Sequence, residues 1–310
     1  VFSKFSVFLL SFVSLLLIYV FGYASKQASV GGEYSLAYDL SNNDYVYFEN
    51  LDERKFVEGR LYYPLSPVNT VVVGSSRVMQ IDSNMVGENI QSLTVSGASI
   101  EDDIAFGMEA LAKLDYNRIY ISADPWILNI NNRQNGYKSV KELFEYWLNR
   151  MRLSDNPMQF LSTETLDNPS AYANFFKDLR KYVTLYVENN IPSHGDNEAV
   201  AKKSYDGSHI YNESYANSLL KNTIENFEPP LIYAMNDFKY DAEAISNLES
   251  FVSYLKENDV TVILVLSPYH PQVYQLMKSR KPIFLELEDW YRQFADKNEI
   301  QIIGSYDGVK

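Results

Sequence analysis

"NTVVVGSSRVMQID", residues 69–82, holds the decision about the fold. Thr70 to Val73 are β-branched and run into Gly74, with Ser75, Ser76 and Arg77 directly behind. Such a run reads as a buried strand, and Gly followed by polar residues reads as the turn at its carboxyl end. Two readings of the serines follow. One is a nucleophile delivered to the mouth of a parallel sheet. The other is an N-cap, in which Ser75 or Ser76 starts the next helix and does nothing more. In both, a helix is expected to begin near Arg77, with its first amides facing any anion at the turn.

Outward from this stretch the pattern alternates. "SLTVSG" (92–97) and "RIYISAD" (118–124) read as further strands. The segment between them carries Ile104, Met108, Leu111 and Leu114 at helical spacing. A helix at 242–259, a strand at 260–268, a helix at 283–298 and a strand at 300–306 repeat the alternation. Strand, helix, strand at this spacing implies right-handed crossovers and an α/β, doubly wound parallel sheet. Ligands of such sheets bind at the carboxyl ends of the strands. Gly74 to Ser76, Gly97, Asp124 and Pro268 to His270 all fall at those ends, on one rim.

The rest of the chain frames this domain. Phe5 to Tyr23 is free of charge between Lys4 and Lys26, long enough for one transmembrane helix. A cleavable signal peptide is the rival, with Gly22 and Ala24 near a cleavage site, but the apolar stretch is longer than a signal core usually is. Residues 1–27 are therefore expected to anchor the chain and to place the remainder outside the cytoplasm. Residues 28–66, polar and rich in Tyr, read as a stalk or lead-in. Residues 67–310 read as the α/β domain, with a helical insertion at about 125–228. A net charge of -13 argues against nucleic acid as a partner. The absence of cysteine rules out thiol chemistry and Cys-held metals, and no His/Asp/Glu grouping has metal-ligand spacing, so neither metal nor cofactor is expected.

"VVVGSSRVMQID", "TVSGAS", "ADPWILN", "YDGSHIYNESYAN" and "VILVLSPYHPQVY", in that order, resemble the SGNH, or GDSL-like, hydrolase superfamily. The likeness is to its membrane-anchored bacterial branch, which carries Gly-Ser-Ser at the first motif. It covers residues 68–310 and implies a flavodoxin-like three-layer sandwich. On this resemblance Ser76 is the nucleophile of a serine esterase or O-acyltransferase. The N–H groups of Ser76 and Gly97 hold the oxyanion, and acylated cell-envelope polysaccharide is the substrate class. The third block departs from the family, which often has Gly-x-Asn-Asp. "SADPWILN" stands there instead, with Asn129 as a substitute oxyanion donor. Arg77, Asp124 and His270 are candidates for substrate contact; Arg77 pairing with a carboxylate and Asp124 holding loop backbone are the plainer readings.

The base is harder to place. The resemblance puts an Asp-x-x-His after the last strand, which here would lie beyond Lys310. Of the three histidines, His194 has nothing to recommend it. Asp206 and His209 have the Asp-x-x-His spacing, but helices and strands still follow them, so they are alternatives to that C-terminal pair. A non-catalytic scaffold or binding subunit of an envelope-polysaccharide system, keeping the sheet without the triad, is the rival to an enzyme.

Overall fold

The computed structural model describes residues 32–154, 201–212, 217 and 234–309, except 49 and 281. Much of the expected insertion, His194 within it, and the apolar stretch 5–23 lie outside them. Among the described residues no helix is long and apolar enough to cross a membrane.

The chain is a mixed α/β protein built on a parallel five-stranded sheet. Strands β2 (Thr70–Val73), β3 (Ile90–Ser92), β4 (Arg118–Ser122), β7 (Thr261–Leu266) and β8 (Gln301–Gly304) lie in the order β3-β2-β4-β7-β8. The chain thus starts in β2, steps to one side for β3 and crosses back for β4. The direction of travel reverses between β2 and β4, and the ends of those two strands open into the crevice where such sheets bind ligands.

Burial explains why these segments are strands. Val71, Val72 and Val73 are all fully buried, as are Ile119 and Leu264. An apolar run buried on both faces is what a central parallel strand requires. On one face the sheet is covered by helices α4 (Ile100–Lys113), α6 (Ala242–Glu257) and α8 (Ile283–Asn298), and α5 (Lys141–Ser154) packs against α4 and α6. On the other, Val72, Ile90 and Val265 pack against Val78, Ile81 and Val86 from the segment after β2. This arrangement is compatible with a three-layer sandwich. Helix α7 (Pro271–Arg280) starts on a proline, which suits a first helical position because its missing N–H would have no partner there anyway.

Close approach of α6 to α4 depends on Gly107. A Cβ there would stand 2.6 Å from Phe251 Cζ, and Phe251 is fully buried. Gly107→Ala should therefore lower stability by about 1–3 kcal/mol through overpacking. The reading is the urea midpoint at unchanged slope. A midpoint that rises would mean the ring makes room and helix propensity prevails.

Residues 33–60, expected as part of a lead-in, fold instead into a compact module. Helix α1 (Glu33–Leu40), strand β1 (Tyr45–Phe48) and helix α2 (Glu53–Arg60) bury Leu36, Ala37, Leu40, Val46, Phe48 and Phe56 together. The hairpin β5 (Ala201–Ser204) and β6 (His209–Tyr211) completes it, β5 pairing antiparallel with β1 to give the sheet β1-β5-β6. Part of the expected insertion is thus integral to a second sheet. Arg60 is fully buried there, donating to the carbonyls of Tyr205 (2.9 Å) and Ala37 (3.3 Å). Arg54 clamps Asp102 on α4 with two 2.8 Å bonds, tying module to main domain. The module also covers the edge of the large sheet, because Ser92 on β3 donates to the Asp206 carbonyl at 2.8 Å. An edge strand so covered offers no row of free amides to another chain.

Candidate functional site

At the reversal point β2 and β4 touch closely. Gly74 has φ +134°, and a Cβ there would lie 2.3 Å from Ser122 Cβ, so only glycine fits. The chain then turns. Val78 N donates to Ser75 O (3.1 Å) and Ile81 N to Val78 O (3.1 Å), giving a run of turns in place of the helix expected near Arg77. The next helix, α3 (Ser83–Val86), is one short turn capped by Asp82. Val78, Met79 and Ile81 are drawn down onto the sheet, and that packing displaces a regular helix.

The two serines have different fates. Ser75 is fully buried; its hydroxyl accepts from Arg77 N at 3.2 Å, and both its hydroxyl and its N–H turn toward the Asp124 carboxylate. This is the local capping role that short hydroxyl side chains fill at turns. Ser76 is exposed at the rim, and its side chain makes no hydrogen bond to the described residues.

Arg77 and Asp124 face each other rather than a ligand. Asp124 is buried at the end of β4, accepts from Ser122 Oγ at 2.8 Å, and has Arg77 Nε 3.3 Å from its Oδ1 as an ion pair. Burial pushes its carboxyl above the usual range, while Arg77 and the Ser75 and Ser122 hydrogen bonds pull it down. Arg77 also donates to the Ser267 carbonyl at the end of β7, and Ser267 Oγ returns a bond to Arg77 O at 3.3 Å. Its guanidinium lies 3.6 Å above the Tyr269 ring. One side chain thereby joins the ends of β2, β4 and β7. Tyr291 and Tyr306 donate to the carbonyls of Asp124 and Ala123, fixing the same end of β4 from below. Of the roles considered for Arg77 and Asp124, the structure gives the structural one to each: they hold the turn that carries Ser76.

Gly97 stands beside this turn. Val95 N donates to Gly74 O (2.9 Å), so the β3–β2 ladder runs two residues short of both Gly97 and Ser76. Gly97 has φ +58°, and a Cβ there would lie 2.6 Å from Gln134 Oε1. The N–H groups of Ser76 and Gly97 make no hydrogen bond to the described residues, whereas the amides of Leu93, Val95 and Val78 around them are engaged. Two unengaged backbone donors at adjacent strand ends can stabilise an oxyanion.

Asn129 does not join them. Its amide donates to Ala234 O (2.8 Å) and Asn236 O (3.3 Å), and its oxygen accepts from Asn131 N and Lys239 N at 3.1 Å each. It is fully buried as a staple between the loop after β4 and residues 234–240. Every hydrogen-bonding position it has is filled, so it is not available as an oxyanion donor.

Nor do Asp206 and His209 form a pair. Asp206, fully buried, accepts from Ser83 N (2.8 Å), Ser83 Oγ (2.9 Å), Ser208 N (3.0 Å) and Ser208 Oγ (2.6 Å). His209 packs between Phe48 and Tyr211, with ring centroids 5.3 Å and 4.2 Å away, and neither ring nitrogen has a partner. Burial first, then the neighbouring Lys203 ammonium, holds the imidazole down to about 3. The Asp-x-x-His spacing thus belongs to a hairpin, where Asp206 closes the turn and His209 points into an aromatic core. His270 lies at the rim, half-buried, its carbonyl accepting from Tyr274 N (2.8 Å) at the start of α7 and its Nδ1 buried without a partner. Among the described residues no hydrogen bond links it to Ser76.

The tryptophans serve the fold: Trp126 Nε1 donates to Ala98 O at 3.1 Å and Trp147 Nε1 to Glu109 at 3.0 Å. Among the described residues no group of three or more His, Asp or Glu is placed to hold a metal ion. Sequence reasoning missed the approach of Gln134 to Gly97, lost in the polar run "NNRQNG", where only an Asn two residues upstream hinted at a fixed turn. It also missed Ser83, an ordinary residue until Asp206 arrives from far along the chain. Compared with models of protein families, with curated proteins and with solved structures, the chain matches none of them, so what this rim can do rests on its own geometry.

Proposed function

We propose that the chain is an anchored, extracytoplasmic serine esterase or O-acyltransferase of the SGNH type, acting on acyl esters of cell-envelope glycans. The observation that supports it best is an exposed Ser76 at the reversal point of the sheet, its side chain and the N–H groups of Ser76 and Gly97 all without a hydrogen bond among the described residues. In this reading Ser76 Oγ attacks the ester carbonyl carbon and gives its proton to a histidine base. The carbonyl π electrons move onto oxygen, where the two amides receive the charge. Collapse breaks the bond to the alcohol, which leaves with the proton from the histidine. Water, or a second sugar hydroxyl, then takes the acyl group from Ser76. The resemblance assigns the base to an Asp-x-x-His after the last strand. The glycan substrate and the flavodoxin-like three-layer family rest on that resemblance too.

One observation favours a second reading, a non-catalytic member of the same fold in a polysaccharide system. Among the described residues no histidine touches Ser76, and the turn is held for purely structural reasons by Asp124 and Arg77. Fluorophosphonate labelling of the full-length protein separates the two. We expect labelling of the wild type that vanishes in Ser76→Ala. A folded full-length protein that takes no label would leave the scaffold reading standing.

A further inference from the structure

We infer that the small module takes part in the proposed chemistry through Glu53, a positioning residue that fixes the Gly97 amide of the oxyanion hole; this rests on the serine-enzyme reading above. The residues around Gly97 are tied in place from several directions. Val95 N donates to Gly74 O at 2.9 Å, which sets the segment beside the strand that delivers Ser76. Ser96 donates twice to the Glu53 carboxylate, from its N–H to Oε2 and from its hydroxyl to Oε1 at 3.2 Å. Ala98 O accepts from Trp126 Nε1 at 3.1 Å, and Ser99 donates to Asp102 Oδ2 from its N–H (3.0 Å) and its hydroxyl (3.3 Å). The Gly97 N–H between these ties makes no hydrogen bond to the described residues.

Helix α2 grips this segment on both sides of Gly97. Glu53 opens the helix, behind an Asp52 cap whose carboxylate accepts from Lys55 N at 3.3 Å, and it holds Ser96. Arg54, the next residue, holds the buried Asp102 with two 2.8 Å bonds, and Asp102 in turn holds Ser99. A Cβ on Gly136 would stand 2.3 Å from Arg54 Cζ, so the loop after β4 lies directly against this guanidinium. These ties matter because a peptide unit is planar, and the Gly97 N–H points wherever the Ser96–Gly97 plane lies. Glycine, without a Cβ, does little to narrow that choice. The direction is therefore imposed from outside, and a donor aimed before charge develops is what stabilises an oxyanion. Without Glu53 the Ser96 N–H and hydroxyl lose their acceptor, and the plane is free to turn away from the rim.

The test uses the full-length protein and p-nitrophenyl acetate turnover, with kcat expressed per serine labelled by a fluorophosphonate at completion, so that any unfolded fraction drops out. Glu53→Ala removes both ties; Glu53→Gln keeps the shape and an acceptor oxygen for Ser96 N. Glu53→Ala should lower kcat about 10- to 100-fold, the cost of misplacing a group without removing it. KM should change little, the pattern of an interaction made in the transition state alone. Glu53→Gln should restore most of the lost rate, which a role for the charge itself would not allow. The inference is overturned if Glu53→Ala keeps wild-type kcat, if its loss appears in KM with kcat intact, or if Glu53→Gln loses as much as Glu53→Ala. It also falls if the wild type shows no turnover or label dependent on Ser76, but then the serine reading falls with it. A Ser76-dependent enzyme indifferent to Glu53 removes this inference alone.

Discussion

Replacing Asp206 by Ala should destabilise the protein by about 3–5 kcal/mol, the range seen when a buried charged network loses its central member. Four donors would lose their acceptor at once: the N–H and hydroxyl of Ser83 and the N–H and hydroxyl of Ser208. Each buried donor left unsatisfied costs about 1–3 kcal/mol, and none can turn to solvent because Ser83, Ser208 and Asp206 are all buried. Arg60 and Lys203 would also lose a nearby negative charge. The urea midpoint should fall steeply with the slope unchanged. Asp206→Asn, which keeps the shape and one acceptor oxygen, should lie between. A midpoint within experimental error of the wild type would show that the hairpin turn is held by something other than this carboxylate.

Acid should weaken the protein through His209. Its native imidazole is held down to about 3, against an ordinary value near ~6.5 for an unfolded chain. Above pH ~6.5 both states are neutral and the residue is without effect. As pH falls from there toward 3, the unfolded chain takes up a proton that the native state refuses. Stability then declines by up to about 1.4 kcal/mol per pH unit from this residue alone. His209→Phe, which suits the contacts with Phe48 and Tyr211, should remove that part of the slope. Unfolding free energies at pH 7.5, 5.5 and 4.5 for both proteins provide the comparison. Parallel curves would mean the ring finds a partner in solution, such as a buried water.

How much of this was legible in the sequence differed by element. Four strands of the large sheet and helices α4, α5, α6 and α8 announced themselves because burial on a fixed face imposes periodicity, whereas the strand expected at 92–97 is β3 at Ile90–Ser92, one residue of overlap. The rim was legible for the same reason: Gly74, Gly97 and Asp124 punctuate strand ends, and strand ends converge. Helix α7 was not read, since Pro271 and the following polar residues give no clear apolar stripe. The module of α1, β1 and α2 was hidden more deeply. Its strand β1 has only four residues, and its partner lies far along the chain, so nothing local distinguishes Tyr45 to Phe48 from a polar, aromatic linker. The role of Asn129 was invisible, and the choice between two roles for Arg77 and Asp124 stayed open, for a related reason. A charged or amide side chain at a rim reads the same whether it awaits a ligand or meets a neighbour brought by folding. Asp206 and His209 show the converse, a spacing that suggests chemistry until the hairpin sends one residue to the turn and the other to the core.

The pairing of β1 with β5, Tyr45 opposite Ser204, sets the order in which the molecule can assemble. Strands β2, β3 and β4 with α4 are close in sequence and can form while little chain entropy has been lost. The small sheet cannot, because joining its strands closes a very long loop, and that entropic cost falls before any contact repays it. Asp206 reaches Ser83, and His209 reaches Met79, only once that loop has closed. The segment that follows Ser76 is therefore expected to be among the last parts of the described structure to become rigid. A refolding protein should regain its helical signal well before it regains a protected amide at His209.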